Sequence, residues 1–496
     1  MREIRIIDTT LRDGPQCLWA TRITTPMMLP IAQRLDSLGL ESIDLAGAIQ
    51  FDVCVRYLRE DPWERVRLMR SKVVDTPLRA LVRSKNLISF DLVPDDIIAL
   101  WVDRLYHNGF RVIGAFDGLN DMDNVLFTVS RAKELGAQTF GALAFSESPV
   151  HTDDLYVQKA KLLVDSGVVD TVMLKDAGGL LTPDRIRTLV PALKGVLGDI
   201  PLEIHSHCLT GLAPLVYLEA ARLGADQLHC SIWPLASGAA QPSSQQLMHN
   251  LPSVDCYAPL DADGIAEISD HFLRIAQAEG KPVGQPLDYD AFHFKHQVPG
   301  GMLSNLKFQL EQAGIPERFD EVLEECAVVR EELGWPIMIT PFAQLVGTQA
   351  VFNVVHGKRY HVVPDEVKKY ALGHYGDLPA PVYPDVLDRI VARGSSRIPT
   401  KPPPLEPAVE RLRTQYPGVS DEHRLLYFMF AGSQVDDMRA AGPMATQWRP
   451  PRHPVVELVD ELANRPQVEY VKVSKGDLRF EARATTTPGE VADASS

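Results

Sequence analysis

The chain has 496 residues, 45% hydrophobic and 23% charged, ordinary values for a soluble globular protein with ample core. Lys plus Arg number 50 against 65 Asp plus Glu, a net charge of −15, so the basic footprint of a general nucleic-acid or membrane-surface binder is missing. No run reaches the ~18 apolar residues of a membrane span, and the opening MREIRIIDTT reads as a strand rather than a signal peptide. The six cysteines (Cys17, Cys54, Cys208, Cys230, Cys256 and Cys326) form no CxxC pair. That pattern points to a reduced, cytoplasmic protein rather than a disulfide scaffold.

In chain order, short apolar or β-branched runs predict strands at Ile4–Ile7, Ser42–Leu45, Ala80–Val82, Arg111–Phe116, Thr139–Phe145, Thr171–Leu174, Leu202–His205 and Gln227–Ile232. Helical spacing fills intervals such as Met27–Leu38, Pro94–Tyr106, Asp154–Ser166, Pro183–Leu197 and Gly211–Leu223. Strands alternating with helices imply βαβ units and a parallel sheet. Eight units in about 250 residues have the count and size of a (β/α)8 TIM barrel. The alternative, an open doubly wound sheet, lacks a GxGxxG after the first strand. From about residue 260 the pattern turns mostly helical, with a Pro- and Gly-bearing loop at Val298–Asn305. Pro-rich stretches at 396–406 and 442–454 read as spacers around a helical segment of roughly 406–440. A helix at Val455–Asn464 and a strand pair at Val468–Val473 and Leu478–Arg483 follow. The expected division is a barrel over 1–258, a helical cap over 259–440, a small α+β tail over 441–484 and a disordered end over 485–496.

Chemistry in a parallel barrel sits where the strands end, in the βα loops. His205-x-His207 ends the seventh strand, and residues two apart on a strand share a face, so both imidazoles can reach one ion. The plainer alternative is two polar residues bonding to loops. Asp13, after the first strand, is the natural acid to join them. Lys175, after the sixth, repels a cation as an ammonium but becomes an anionic oxygen donor as a CO2 carbamate; an ordinary Lys175–Asp176 pair is the competing reading. Arg12, Gln16 and Arg83 supply donors at the same mouth. An Arg fork suits a small carboxylic acid, with salt bridging inside the loops as the alternative.

Several stretches together resemble one known family. They are DTTLRDGPQCLWATR (8–22), FDVCVRYLREDPWERVR (51–67), SPVHT (148–152), LKDAGGLLTP (174–183), HSHCLTGLAP (205–214), HQVPGGMLSN (296–305) and TPFAQLVGTQAVFNV (340–354). The chain is identified by them as similar to the carboxyltransferase subunits of biotin-dependent enzymes. These include pyruvate carboxylase, the oxaloacetate decarboxylase alpha subunit and the pyruvate-specific subunit of transcarboxylase. The resemblance implies a (β/α)8 barrel with a helical cap. It implies a divalent metal (Zn, Mn or Co by donor type) held by Asp13, His205, His207 and a carbamylated Lys175. It implies that Arg12, Gln16 and Arg83 hold a 2-oxo acid, beside Phe90. The activity implied is carboxyl transfer between biotin and pyruvate or oxaloacetate through an enolate, in a homodimer.

The departures are specific. The family's proton-relaying Thr falls at Ala239, and a methyl group relays nothing. Ser237, Ser243 and Ser244 are the nearby candidates to replace it. Phe90 stands where the family has a Tyr, Gly114 where it has an Arg, and Gly14-Pro15 where a His follows the Arg-Asp pair. No ATP-grasp carboxylase region and no Met-Lys-Met biotinylation sequence is present. Biotin is therefore expected in trans, on a separate carrier served by a separate biotin carboxylase, with the tail as a candidate docking segment. The alternative function is a biotin-independent decarboxylase of oxaloacetate or a similar β-keto acid, motivated by Ala239.

Overall fold

A computed structural model of the chain describes residues 1–312, 314–450, 470–475 and 478–483. Eight parallel strands close into a barrel in chain order. They are Arg5–Asp8 (β1), Ser42–Gly47 (β2), Leu78–Val82 (β3), Val112–Phe116 (β4), Gln138–Ala144 (β5), Thr171–Asp176 (β6), Leu202–Ser206 (β7) and Gln227–Cys230 (β8). β1 closes the ring, pairing Ile7 with Ser42 on one side and Ile6 with Leu228 on the other. No edge stays open to aggregate. β3, β4, β7 and β8 are buried at every residue. Helices cover the outer face and side chains fill the inner one, so the strands are buried on both sides.

The helix expected over Met27–Leu38 is broken into Thr25–Met28, a 3-10 turn at Leu29–Ile31, and Ala32–Asp36. Pro30 supplies no N–H and its ring obstructs a continuous helix. The loop expected over Val298–Asn305 is shorter, because a helix spans Gly300–Gln312. The N–H groups of Met302 and Leu303 donate to the Pro299 carbonyl, a position where proline's missing donor costs nothing. Tyr470–Lys475 pairs antiparallel with Leu478–Arg483. Residues 468 and 469, the helix expected at Val455–Asn464 and the end over 485–496 lie outside the described residues.

Three apolar clusters organise the described chain. The largest surrounds the barrel and takes in Ile265, Ile268 and Phe272 of helix Ala262–Glu279, together with Leu412, Leu425, Leu426 and Val435 of the helices after residue 408. A second holds helices between Val298 and Ile390 around Leu306, Cys326, Val346 and Val367. The third joins them, because Ile337 and Ile339 pack on Leu81, Phe116, Ala144 and Met173 inside the barrel. Polar contacts lock the same junction. Arg330, 1% exposed, donates to Ser146 Oγ at 2.9 Å and to the Glu147 carbonyl at 3.0 Å. Gln297 Nε2 reaches that carbonyl at 2.8 Å.

The helix after β2, Ala48–Val53, is anchored by Phe51. Its ring lies 4.8 Å from both Trp63 and Trp101, which are 5.1 Å apart. Phe51→Ala is expected to lower stability by about 3–5 kcal/mol, read as a fall in the urea midpoint. A loss below about 1 kcal/mol would mean that the neighbours collapse into the gap.

Candidate active site

The loop after β1 turns directly into helix Asp13–Leu18. Gly14 permits the turn, since a Cβ there would stand 2.5 Å from the Leu235 carbonyl. Arg12 and Asp13 meet face to face. Arg12 Nη1 and Nη2 donate to Asp13 Oδ1 and Oδ2 at 2.8 and 2.7 Å, and Nε donates to Asp44 Oδ2 at 2.6 Å. All three side chains are buried. Burial pushes the Asp13 carboxyl up, but the Arg12 guanidinium, Lys175 and His207 outweigh it and hold the group below its ordinary value.

His205 and His207 project from the end of β7 toward that carboxylate. The Nε2 of His205 lies 3.2 Å from Asp13 Oδ2 and 3.3 Å from His207 Nε2. Donor atoms of Asp13, His205 and His207 lie within 4.8 Å of one another, the one such metal-capable trio among the described residues. Burial drives the pKa of both imidazoles down, for His205 well below the usual value. Neutral rings with free lone pairs are what a metal requires. His207 Nδ1 sits 2.7 Å from the Ala239 carbonyl. A carbonyl only accepts, so the proton stays on Nδ1 and Nε2 is left bare.

Lys175 closes the group, its Nζ 3.1 Å from His205 Nε2. Burial lowers its ammonium to about 8, with Asp13 opposing the shift. The competing Lys175–Asp176 ion pair is not formed. Asp176 instead accepts from the Leu180 and Leu181 N–H groups at 2.8 Å each and from Ser206 Oγ at 2.7 Å.

Above these groups opens a cavity of about 1110 Å³. Arg12, Asp13, Gln16, Arg83, Phe90, Lys175, His207 and Ala239 all line it, while His205 lies beneath. Gln16 Oε1 accepts from Gln50 at 3.2 Å, and Phe90 is 44% exposed at the rim. Arg83 donates to the carbonyls of Leu87 at 3.0 Å and Ser89 at 2.8 Å. Burial brings its pKa down to about 10, with the Asp52 carboxylate opposing the shift, and its hydrogen bonds within the described residues go to neutral carbonyls. Ser237, Ser243 and Ser244 do not line the cavity. Ser243 Oγ caps the next helix through the Gln246 N–H at 3.1 Å, and Ser244 Oγ donates to the Ser231 carbonyl at 3.3 Å.

Two contributors escaped the sequence reading. Asp44 braces Arg12 from β2, and a lone acid inside the otherwise apolar strand SIDLAG was its signal. Gln241 is fully buried, with its Nε2 3.2 Å from Asp13 Oδ2 and 3.0 Å from His207 Nε2. Nothing in its local sequence distinguishes it from a loop glutamine.

One of the pyruvate carboxylase subunits of Methanocaldococcus jannaschii is 42% identical to this chain over 406 residues, 82% of this chain and 71% of the relative. The chain belongs to the carboxyltransferase family of biotin-dependent enzymes. A second member, the 2-oxoglutarate carboxylase large subunit of Hydrogenobacter thermophilus, is 33% identical over 394 residues, covering 79% of this chain and 60% of that one. The family described as "Conserved carboxylase domain" matches residues 294–447. The carboxyl transferase domain of Rhizobium etli pyruvate carboxylase, solved with pyruvate, superposes with a TM-score of 0.80 at 25% identity, over 89% of this chain and 77% of that one. This carboxyltransferase is therefore an enzyme of the carboxylase and carboxyltransferase type. Among its described residues no helix is long and apolar enough to cross a membrane.

In this carboxyltransferase Arg12 pairs with two buried carboxylates, so removing it strands both. Arg12→Met is expected to cost about 3–5 kcal/mol, measured by urea unfolding. An unchanged midpoint would show that the two acids protonate instead.

Proposed function

We propose that this enzyme moves a carboxyl group between biotin, carried on a separate protein, and pyruvate, oxaloacetate or a related 2-oxo acid. The observation that carries the reading is one cavity in which the buried Asp13–His205–His207 cluster, with Lys175 beside it, faces the Arg83 guanidinium. The two imidazoles and one carboxylate fit a divalent Zn, Mn or Co ion. Lys175 adds a further donor after reaction with CO2. Its neutral amine forms the N–C bond and loses a proton, leaving a carbamate with one negative charge. A bound divalent ion supplies Lewis acidity toward the 2-oxo oxygen of the substrate.

The chain's own groups do the rest. Arg83 binds the substrate carboxylate through its open fork. Arg12, pinned by Asp13 and Asp44, holds its guanidinium at the cavity wall in a fixed orientation. The cavity, at about 1110 Å³, exceeds the needs of a three-carbon acid and leaves room for a second reactant. The relatives support the substrate class, since pyruvate and 2-oxoglutarate in their names are both 2-oxo acids. Both relatives are named as single subunits, which supports partner subunits in trans; a cytoplasmic homodimer belongs to the same proposal.

A second reading rests on Ala239. Its methyl lines the cavity, and none of the three nearby serines does. Without a relay to biotin, the same metal-binding floor suits a biotin-independent decarboxylase of oxaloacetate or a similar β-keto acid.

The deciding assay loads the purified protein with Mn2+, Zn2+ or Co2+ and offers free carboxybiotin with pyruvate or 2-oxoglutarate. Carboxyl transfer to one of them is the expected result. No transfer, with biotin-free oxaloacetate decay accelerated by the same protein, would establish the second reading. Under the first, Ala239→Thr should raise biotin-coupled exchange by on the order of 10²-fold, the lower end of general acid–base catalysis.

Metal content tests the binding floor separately. Lys175→Arg and His207→Ala should each leave the protein folded by circular dichroism while metal per chain falls severalfold. Full occupancy in both would remove these residues from the ligand set.

A further inference from the structure

We propose that His229, backed by Glu203 and Arg79, is a positioning residue that keeps the proton of His205 on Nδ1 and thereby presents a bare Nε2 to the metal-binding floor. This rests on the reading of His205 as a ligand.

His229 sits on β8 directly beneath His205, 1% exposed. The two rings stand at 77° with centroids 4.9 Å apart, and their Nδ1 atoms are 3.2 Å apart. The opposite edge of His229 places Nε2 at 3.1 Å from Glu203 Oε2. Glu203 is itself fully buried on β7. It accepts from Arg79 Nη1 at 3.2 Å, from Arg79 Nη2 and from the Thr171 hydroxyl. Arg79 is fixed in turn by the Phe140 ring, with its guanidinium carbon 3.5 Å from the ring centroid.

Proton bookkeeping assigns the tautomers. An ionised carboxylate held by a guanidinium only accepts, so Nε2 of His229 donates to it. The single proton of the neutral ring is then spent, and Nδ1 of His229 can only accept. The proton between the two Nδ1 atoms belongs to His205. Its other nitrogen, Nε2, is the atom aimed at Asp13 and His207. His207 reaches the same state through the Ala239 carbonyl. A ligating imidazole commonly has its second nitrogen fixed in this way; here one is held by the backbone and the other by a buried side-chain line.

Packing alone gives no reason for that line. Barrel interiors are ordinarily filled by branched aliphatic side chains, and a buried ion pair stabilises no better than such a layer. The strands also make room for it. Gly114 leaves space that Phe140 occupies, a Cβ there being 2.3 Å from the ring.

The test measures metal affinity by chelator competition and site geometry by the visible spectrum of bound Co2+. His229→Phe should weaken Zn2+ binding by about 10–100-fold and alter the Co2+ spectrum. His229→Asn, whose Oδ1 can accept where Nδ1 did, should recover most of both. Wild-type affinity and spectrum in His229→Phe, or no recovery in His229→Asn, would overturn the proposal. Should His229→Phe fail to fold, nitrogen-15 histidine spectra of the wild-type protein decide. Protonated Nδ1 on His205 and protonated Nε2 on His229 are expected, and Nε2–H on His205 or a doubly protonated His229 would sink the idea. The same spectra of metal-free protein serve if the wild type binds none of Zn2+, Co2+ or Mn2+. That result would defeat the metal reading of the site, and the tautomers would still decide this one.

Discussion

Everything at the barrel mouth depends on one buried guanidinium shared by two carboxylates. Arg12 contacts Asp13 on its outer edge and Asp44 at Nε, all within 2.8 Å. In a water-excluded pocket such charges interact far more strongly than at the surface, and an uncompensated one is costly. With both acids ionised the trio carries one surplus negative charge, and the Lys175 ammonium balances it. A carbamate at Lys175 would reverse the last term and leave the group two charges negative, the complement of one divalent ion. Loss of the ammonium and gain of a metal would therefore be coupled by charge balance as well as by ligand chemistry.

The cap closes over the barrel's upper layer beside these charges. Ile337 and Ile339 insert into the barrel's upper layer beside Phe116 and Met173. The attachment points after β5 are the Glu147 carbonyl, reached by both Arg330 and Gln297, and the Ser146 hydroxyl, reached by Arg330. Hydrogen bonds to carbonyls fix an orientation without adding counter-charge near the cavity. Arg83 is left with an open fork for the same reason: its internal partners are carbonyls as well.

The barrel was legible because short runs rich in apolar or β-branched residues alternate with helices that have their own period. Individual polar positions were legible where a residue type is rare in its setting. A histidine pair at a strand end and an acid after the first strand stand out in that way, and the structure brings Asp13, His205 and His207 together. Gln241, Glu203 and Arg79 were not legible. Their importance comes from neighbours contributed by distant strands, as when Arg79 and Glu203 meet across 124 residues. The helix break at Pro30 was readable in principle, but the surrounding apolar period masked it. The pairing of Lys175 with Asp176 was a plausible local inference that the tertiary structure overrides, because the loop's N–H groups claim the acid first.

At Ala239 the backbone carbonyl and the side chain have separate consequences. Its carbonyl holds the His207 tautomer whatever side chain follows, so exchanging a hydroxyl for a methyl leaves the ligand untouched. Only chemistry that needs a side-chain proton at 239 is affected. On the proposed reading, binding of a metal and of a 2-oxo acid would rest on Asp13, Lys175, the two histidines and Arg83 and would need no proton from position 239. The substitution would then act on the step that exchanges a proton with the second reactant, while the His207 tautomer is held by the backbone itself.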